Sequence, residues 1–276
     1  MSDLLIHSMA ELAPIIVPLL ERANSRNIVE IGAEFGGMSK ILADHCETRG
    51  GTLTSIDPEP KHKFVEWANK NKSVKHVPKP SLEAIPELSA PDAWVIDGDH
   101  NYYTVYHELL AIDALNRDAD KPLLIFLHDV SWPCARRDFY YAPKRIPEKF
   151  RHDYTFSGGV SLDSEQILEG RGMRGMGHFA WALEAGGPQN GVLTAIEDFM
   201  LQADNAHRPL VFAQVPAVFG LGVIFDTRAE WAEDVAGMIL PYHHNEVIAK
   251  LEVNRLRNWL AVIDAQDREA ERVSTV

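Results

Sequence analysis

Between residues 27 and 130, short apolar runs alternate with stretches whose apolar positions recur at helical spacing. Residues 28–31, 53–56, 74–77, 93–96 and 123–127 read as strands, and residues 36–45, 61–71 and 102–116 as helices. Strands this uniformly apolar are covered on both faces, and strands separated by helices run parallel. Ligands of such sheets bind beyond the carboxyl ends of the strands. That edge carries Glu30 and Gly32, Asp57, Asp97 and Asp99, and His128 and Asp129. A hydrophobic sheet has no need of charges there, so they mark the place to look for chemistry.

The pattern changes after residue 130. Residues 191–203 are helical in spacing, and residues 209–215 and 219–225 are two apolar runs joined by three residues. So short a link allows only antiparallel neighbours, because a parallel pair needs a crossover. The predicted fold is therefore α/β, with helices on both faces of a mostly parallel sheet closed by an antiparallel hairpin. A plain dinucleotide-binding domain would end on a parallel strand.

Residues 131–190 break the alternation. Nine of the eighteen glycines fall between Gly158 and Gly191, which predicts a mobile lid beside the active edge. Residues 229–266 read as a C-terminal helix with a stripe of Ile248, Leu251, Leu256, Trp259 and Ile263. The sheet, or a second copy of the chain in a homodimer, would cover that stripe. The last ten or so residues are polar, unpatterned and expected to be disordered. The whole of 1–276 is expected to be one domain carrying these two additions.

The net charge of −13 argues against nucleic acid and anionic membrane surfaces as partners and favours a small-molecule substrate. Cys46 and Cys134 form no CxxC or zinc pattern and fit a reducing compartment. Asp3, Glu11, Pro14 and Pro18 interrupt the N-terminal apolar stretch, so it does not read as a signal peptide. No run approaches the ~20 apolar residues of a membrane span. A cytoplasmic protein is expected.

Glu30-Ile31-Gly32-Ala33-Glu34-Phe35-Gly36-Gly37 follows a strand and opens a helix. Its glycines permit a tight turn and close approach to a ligand. The dinucleotide pattern G-x-G-x-x-G is broken by Glu34, which would repel the pyrophosphate of NAD(P) but suits a ligand carrying sulfonium and ammonium charges. Asp57 can accept ribose hydroxyls or cap the following helix. Ser81 can bond near an adenine or cap the segment after it. Asp97-Gly98-Asp99-His100-Asn101-Tyr102 and His128-Asp129 gather three carboxylates and two imidazoles. Like charges so close call for a cation or a shared proton. Either a divalent metal on the carboxylates or a metal-free His100 or His128 base answers that need. Tyr102, Trp132, Tyr140, Tyr141, Arg136 and Arg137 border the cluster, as pocket lining or as packing.

Glu-Ile-Gly-x-x-x-Gly-Gly, the acidic second-strand end, Asp-Gly-Asp-His-x-Tyr and His-Asp-Val resemble the class I S-adenosylmethionine (SAM)-dependent methyltransferases, in particular the bacterial small-molecule group near the macrocin and catechol O-methyltransferases. The resemblance covers residues 25–130, and less specifically Gly186-Gly187-Pro188-x-Asn190-Gly191 through Phe199. It implies a Rossmann-like sheet and methylation of a hydroxyl on a sugar, polyketide or phenol-like natural product. It implies cofactor contacts from Glu30, Gly32, Gly36, Ser39, Asp57, Ser81 and Asp97. It also implies Mg²⁺ or another divalent cation on Asp97 and Asp129, completed by His128 or Asp99. His100 stands where the catechol enzymes have a lysine base, and His128 where relatives often have Asp. The alternatives are an NAD(P)-dependent oxidoreductase and a SAM-binding protein without catalysis.

Overall fold

The computed structural model describes residues 5–274, so Asp3 lies outside the described residues. Five parallel strands arise where the apolar runs predict them: β1 (Ile28–Ile31), β2 (Leu53–Ile56), β3 (Val74–Val77), β4 (Ala93–Ile96) and β5 (Leu124–His128). Short strands β6 (Phe139–Tyr140), β7 (Tyr154–Thr155), β8 (Gly158–Gly159), β9 (Leu168–Glu169) and β10 (Ala180–Ala182) follow, then β11 (Leu210–Val215) and β12 (Leu221–Asp226). The helices are α1 (Ala13–Arg22), α2 (Gly37–Thr48), α3 (His62–Ala68), α4 (Ser81–Ala84), α5 (Tyr102–Asp118), α6 (Val192–Asn205), α7 (Ala232–Ile239) and α8 (Glu246–Ser274).

The main sheet has the order β11-β12-β5-β4-β1-β2-β3. Only β12 runs against the rest, antiparallel to both β5 and β11. The predicted hairpin is thus present, with its second strand inside the sheet and its first at the rim. The sheet is thus the expected α/β arrangement, mostly parallel and closed by an antiparallel hairpin.

The two-residue period of a strand divides the core. Ile125 and Leu127 join Ile31, Ile96, Leu109 and Ile196 on the face covered by α5 and α6. Leu124 and Phe126 join Ile28, Val95, Leu42 and Val235 on the face covered by α1, α2 and α7. α1 was not anticipated, because Pro14 in its first turn and Pro18 inside it interrupt the apolar stretch, yet it buries Ile16, Leu19 and Leu20 on one face.

Two expectations change. The segment read as one helix over 229–266 is two helices, broken over residues 240–245, where Pro241 interrupts the pattern. The tail expected to be disordered continues α8 as far as Ser274. Within α8, Leu256 is buried and Ile248, Trp259 and Ile263 are half-buried against the chain's own body, whereas Leu251 faces outward. Among the described residues no helix is long and apolar enough to cross a membrane.

Residues 131–190 contain small sheets of their own, β6-β10-β7 and β8-β9. Buried Asp138 ties this unit to the main body. Its Oδ1 accepts from Tyr102 N and Gly191 N, both at 2.7 Å, and its Oδ2 from Tyr140 Oη at 2.7 Å. Arg137 donates to the carbonyls of Ala182, Leu183 and Glu165. Tyr140, Tyr102 and Arg137 are therefore packing and anchoring groups, not pocket lining.

Candidate active site

The chain turns at Gly32 with φ +88°, where a Cβ would lie 2.1 Å from the Asp97 carbonyl oxygen. The glycine is demanded by the close approach of the β1 and β4 turns. Gly36, at φ +78°, opens α2 against the Phe64 ring. Asp57 fastens the same turn: Oδ2 accepts from Ala33 N at 2.9 Å and Glu34 N at 3.0 Å, and Oδ1 from Glu59 N at 2.9 Å. A carboxylate has about four acceptor directions. In this arrangement about one is left for a ribose hydroxyl, rather than the two expected.

Glu30 and Ser39 are not at the crevice surface. Alternation along β1 turns Glu30 onto the α1–α2 face, where its Oε2 accepts from Ser39 Oγ at 2.7 Å and Ser55 Oγ at 2.6 Å. Glu30 and Ser39 are essentially inaccessible, at 1% and 0% exposure, so they support the turn from beneath instead of touching a cofactor. Burial raises the Glu30 carboxyl to about 7, against the lowering effect of the two serines. Ser81 begins α4 but makes no side-chain cap. Behind it lies Glu108, fully buried, its carboxyl raised to about 8 by burial.

The β4 and β5 ends bring the acidic and imidazole groups together. His128 Nδ1 lies 3.0 Å from Asp97 Oδ1 and 3.3 Å from Asp129 Oδ2, while Nε2 lies 2.9 Å from the Val218 carbonyl oxygen. All three partners are acceptors, so both ring nitrogens carry hydrogen. Burial draws the pKa of His128 down, but the two flanking carboxylates outweigh it and hold the imidazole well above its ordinary value. His128 thus has no lone pair for a proton or a metal, and both roles expected of it are withdrawn. Burial would raise Asp129, yet His100 and His128 leave its carboxyl below the ordinary range. Asp129 also holds φ +59°, a conformation rare outside glycine and tolerated best by Asp and Asn.

His100 lies beside this pair, Nδ1 3.5 Å from Asp129 Oδ2. Phe139 of the insertion fixes its backbone, Phe139 N donating to His100 O at 3.1 Å. Asp99 turns to α5, where Thr104 Oγ1 donates to its Oδ2 at 3.2 Å. One ligand atom each of Asp97, His100 and Asp129 lie within 4.8 Å of one another. Of the residues expected around a metal, Asp97 and Asp129 lie in this cluster together with His100, whereas Asp99 turns to α5.

Tyr141 stands over His100 and Phe139, with ring centroids 6.2 and 4.7 Å apart, and remains half exposed. Burial of the hydroxyl and the Asp97, Asp129 and Glu34 carboxylates raise its pKa. Arg145 reaches Glu59 at 3.4 Å, so the insertion spans from the β4–β5 end to the β2 turn. Sequence reasoning missed Asp138, which belongs to no periodic or motif-like pattern, and Ser55, a polar position inside the strand read at residues 53–56.

Residues 29–130 match the family model described as a methyltransferase domain. None of the curated proteins compared matches the chain. Among solved structures, an O-methyltransferase from Bacillus cereus in complex with SAH shares 15% identity over 82% of this chain and 85% of its own, with a TM-score of 0.48. An SAH-bound methyltransferase of Podospora anserina shares 14% over 76% and 75%, at 0.47. A Burkholderia thailandensis 1,6-didemethyltoxoflavin-N1-methyltransferase shares 14% over 79% of each chain, at 0.43.

Proposed function

We propose that this chain, built around a class I methyltransferase domain, transfers a methyl group from SAM to a hydroxyl of a small molecule. The observation that carries the choice of cofactor is the bonding of Asp57. The Ala33 and Glu34 N–H groups that a dinucleotide's pyrophosphate would use already donate to that carboxylate. The turn adds Glu34 and faces Asp97, so it repels phosphate and suits a cationic ligand. An NAD(P) oxidoreductase is disfavoured on both counts.

SAM, when bound, supplies a methyl group on a positively charged sulfur. Asp57 holds a ribose hydroxyl, Ser81 lies toward the base, and Asp97 faces the cationic amino group. His100 is the general base: with Nδ1 toward Asp129, its Nε2 takes the proton of the acceptor hydroxyl. Asp129 stabilises the imidazolium so formed. His128 keeps the two carboxylates together as a fixed cation. Tyr141 and Phe139 wall the acceptor side, and the sugar, polyketide or phenol-like classes all fit a crevice of that chemistry.

The clustering of Asp97, His100 and Asp129 favours a second reading. Two carboxylates and an imidazole suit a divalent cation, which would lower the pKa of the acceptor hydroxyl. His100 would then be a ligand and not the base.

Calorimetry on dialysed protein tests the cofactor: SAM and SAH bind and NADH does not. Absence of SAM binding at millimolar concentration overturns the proposal. Asp97→Asn and Asp129→Asn are expected to remove most turnover while SAM still binds, and His100→Ala to slow it about 100-fold or more. Unchanged turnover in the two Asp variants would refute the cluster's role. Turnover of hydroxylated acceptors that persists in chelator favours the histidine base, and turnover that needs Mg²⁺ favours the metal.

A further inference from the structure

We propose that Glu252, on the C-terminal helix, is a positioning residue for the His128 imidazole, acting through the peptide group that joins Val218 to Phe219. This rests on the methyl-transfer reading above. Glu252 is 6% exposed, and its Oε1 accepts from Phe219 N at 2.9 Å. At the other end of the same amide, the Val218 carbonyl accepts from His128 Nε2 at 2.9 Å. One planar peptide is thus gripped by a carboxylate on its N–H and an imidazole N–H on its C=O. The amide cannot twist without breaking one bond or the other. A carboxylate on the N–H end also polarises the carbonyl and strengthens it as an acceptor.

The clamp is rigid on every side. Arg255 donates to Glu252 Oε2 at 2.7 Å and to Oε1 at 2.6 Å, and its guanidinium lies 4.9 Å from the Phe219 ring centre. Phe219 holds φ +57°, and its carbonyl accepts from Ser131 N at 2.7 Å. A Cβ on Gly220 would fall 2.4 Å from Ser131 Oγ. The turn between β11 and β12 therefore has one seat, and Glu252 is what aims its amide at His128. His128 in turn sets the Asp97 and Asp129 carboxylates. A helix outside the methyltransferase core thereby reaches His128 through two hydrogen bonds and the Asp97 carboxylate through a third.

The test combines kinetics with NMR of histidine-labelled protein. Glu252→Ala is expected to lower kcat about tenfold, with the SAM Kd within about twofold of the parent. Glu252→Gln keeps an acceptor for Phe219 N–H and is expected to restore most of the loss. In a His128→Asn background, Glu252→Ala is expected to have no further effect, because the link is already cut. The His128 Nε2–H resonance, assigned by its loss in His128→Asn, should move upfield in Glu252→Ala and less in Glu252→Gln. Additive losses in the double variant, or an unmoved resonance, overturn the proposal. If Glu252→Ala does not fold, the resonance in Glu252→Gln decides alone. Absence of methyl transfer with every acceptor defeats the functional reading, while the resonance still answers this one.

Discussion

A carboxyl cut off from water keeps its proton, and Glu30 shows what that costs. Folded, it titrates near 7; unfolded, in the ordinary range near 4.5. Below pH 4.5 both states are protonated and no penalty arises. As pH rises through 4.5 to 7 the unfolded state alone ionises, and stability falls by roughly 3 kcal/mol in total. Glu30→Gln, which can still accept from Ser39 and Ser55, should therefore melt higher than the parent at pH 8 and close to it at pH 4.5. An equal difference at both pH values would show that Glu30 is not held neutral. The same residue marks what sequence reveals about a site. Position at a strand end nominated Glu30, Asp57, Asp97, Asp99, His128 and Asp129, and of these Asp97 and Asp129 gather with His100, one ligand atom of each within 4.8 Å of the others. The side-chain parity of a four-residue strand, which turned Glu30 to the other face, becomes definite only when a helix packs on it. The loss of His128 as a base was equally invisible, because its second nitrogen is claimed by a carbonyl 90 positions away in the chain.

The turns fail or hold as units. The β1 turn is confined by Asp97 on one side and Asp57 on the other, so Gly32→Ala forces its Cβ into the Asp97 carbonyl and strains a φ of +88°. SAM affinity is expected to drop at least tenfold, with the melting temperature also falling; calorimetry and thermal denaturation would read both. Retained affinity would mean that the turn can relax without loss of the site. The long elements were legible because each repeats its signal: five parallel strands and the hairpin appear within one or two residues of expectation. The sheets within residues 131–190 were not, because a two-residue strand has no period to detect. Many glycines that suggested looseness there are required by contact. Gly159 and Gly172 lie where a Cβ would strike the backbone of Arg171 and Val160, whereas Gly177 and Gly186 face open space.

Across the molecule, the insertion is held to the C-terminal helix by paired charges. Arg171 reaches Asp264 and Glu271, each at 2.9 Å, and Arg174 reaches Asp267 through both oxygens. These groups are partly solvated, so each bridge adds little to global stability. Their effect should be local: Arg174→Ala is expected to shift the melting temperature by no more than about 2 °C, while proteolytic cutting near residues 170–178 accelerates several-fold. Cutting at the parental rate would show that the contact does not restrain the insertion. The placement of β12 has a consequence for how the protein is made. The strand that seals β5 lies almost a hundred residues later in the chain. Until the ribosome has delivered residue 226, the Leu124-Ile125-Phe126-Leu127 ladder has one bare rim, a template for pairing with other chains. Biosynthesis thus passes through a sticky half-finished state, and premature termination upstream of the hairpin should yield insoluble polypeptide instead of a smaller folded protein.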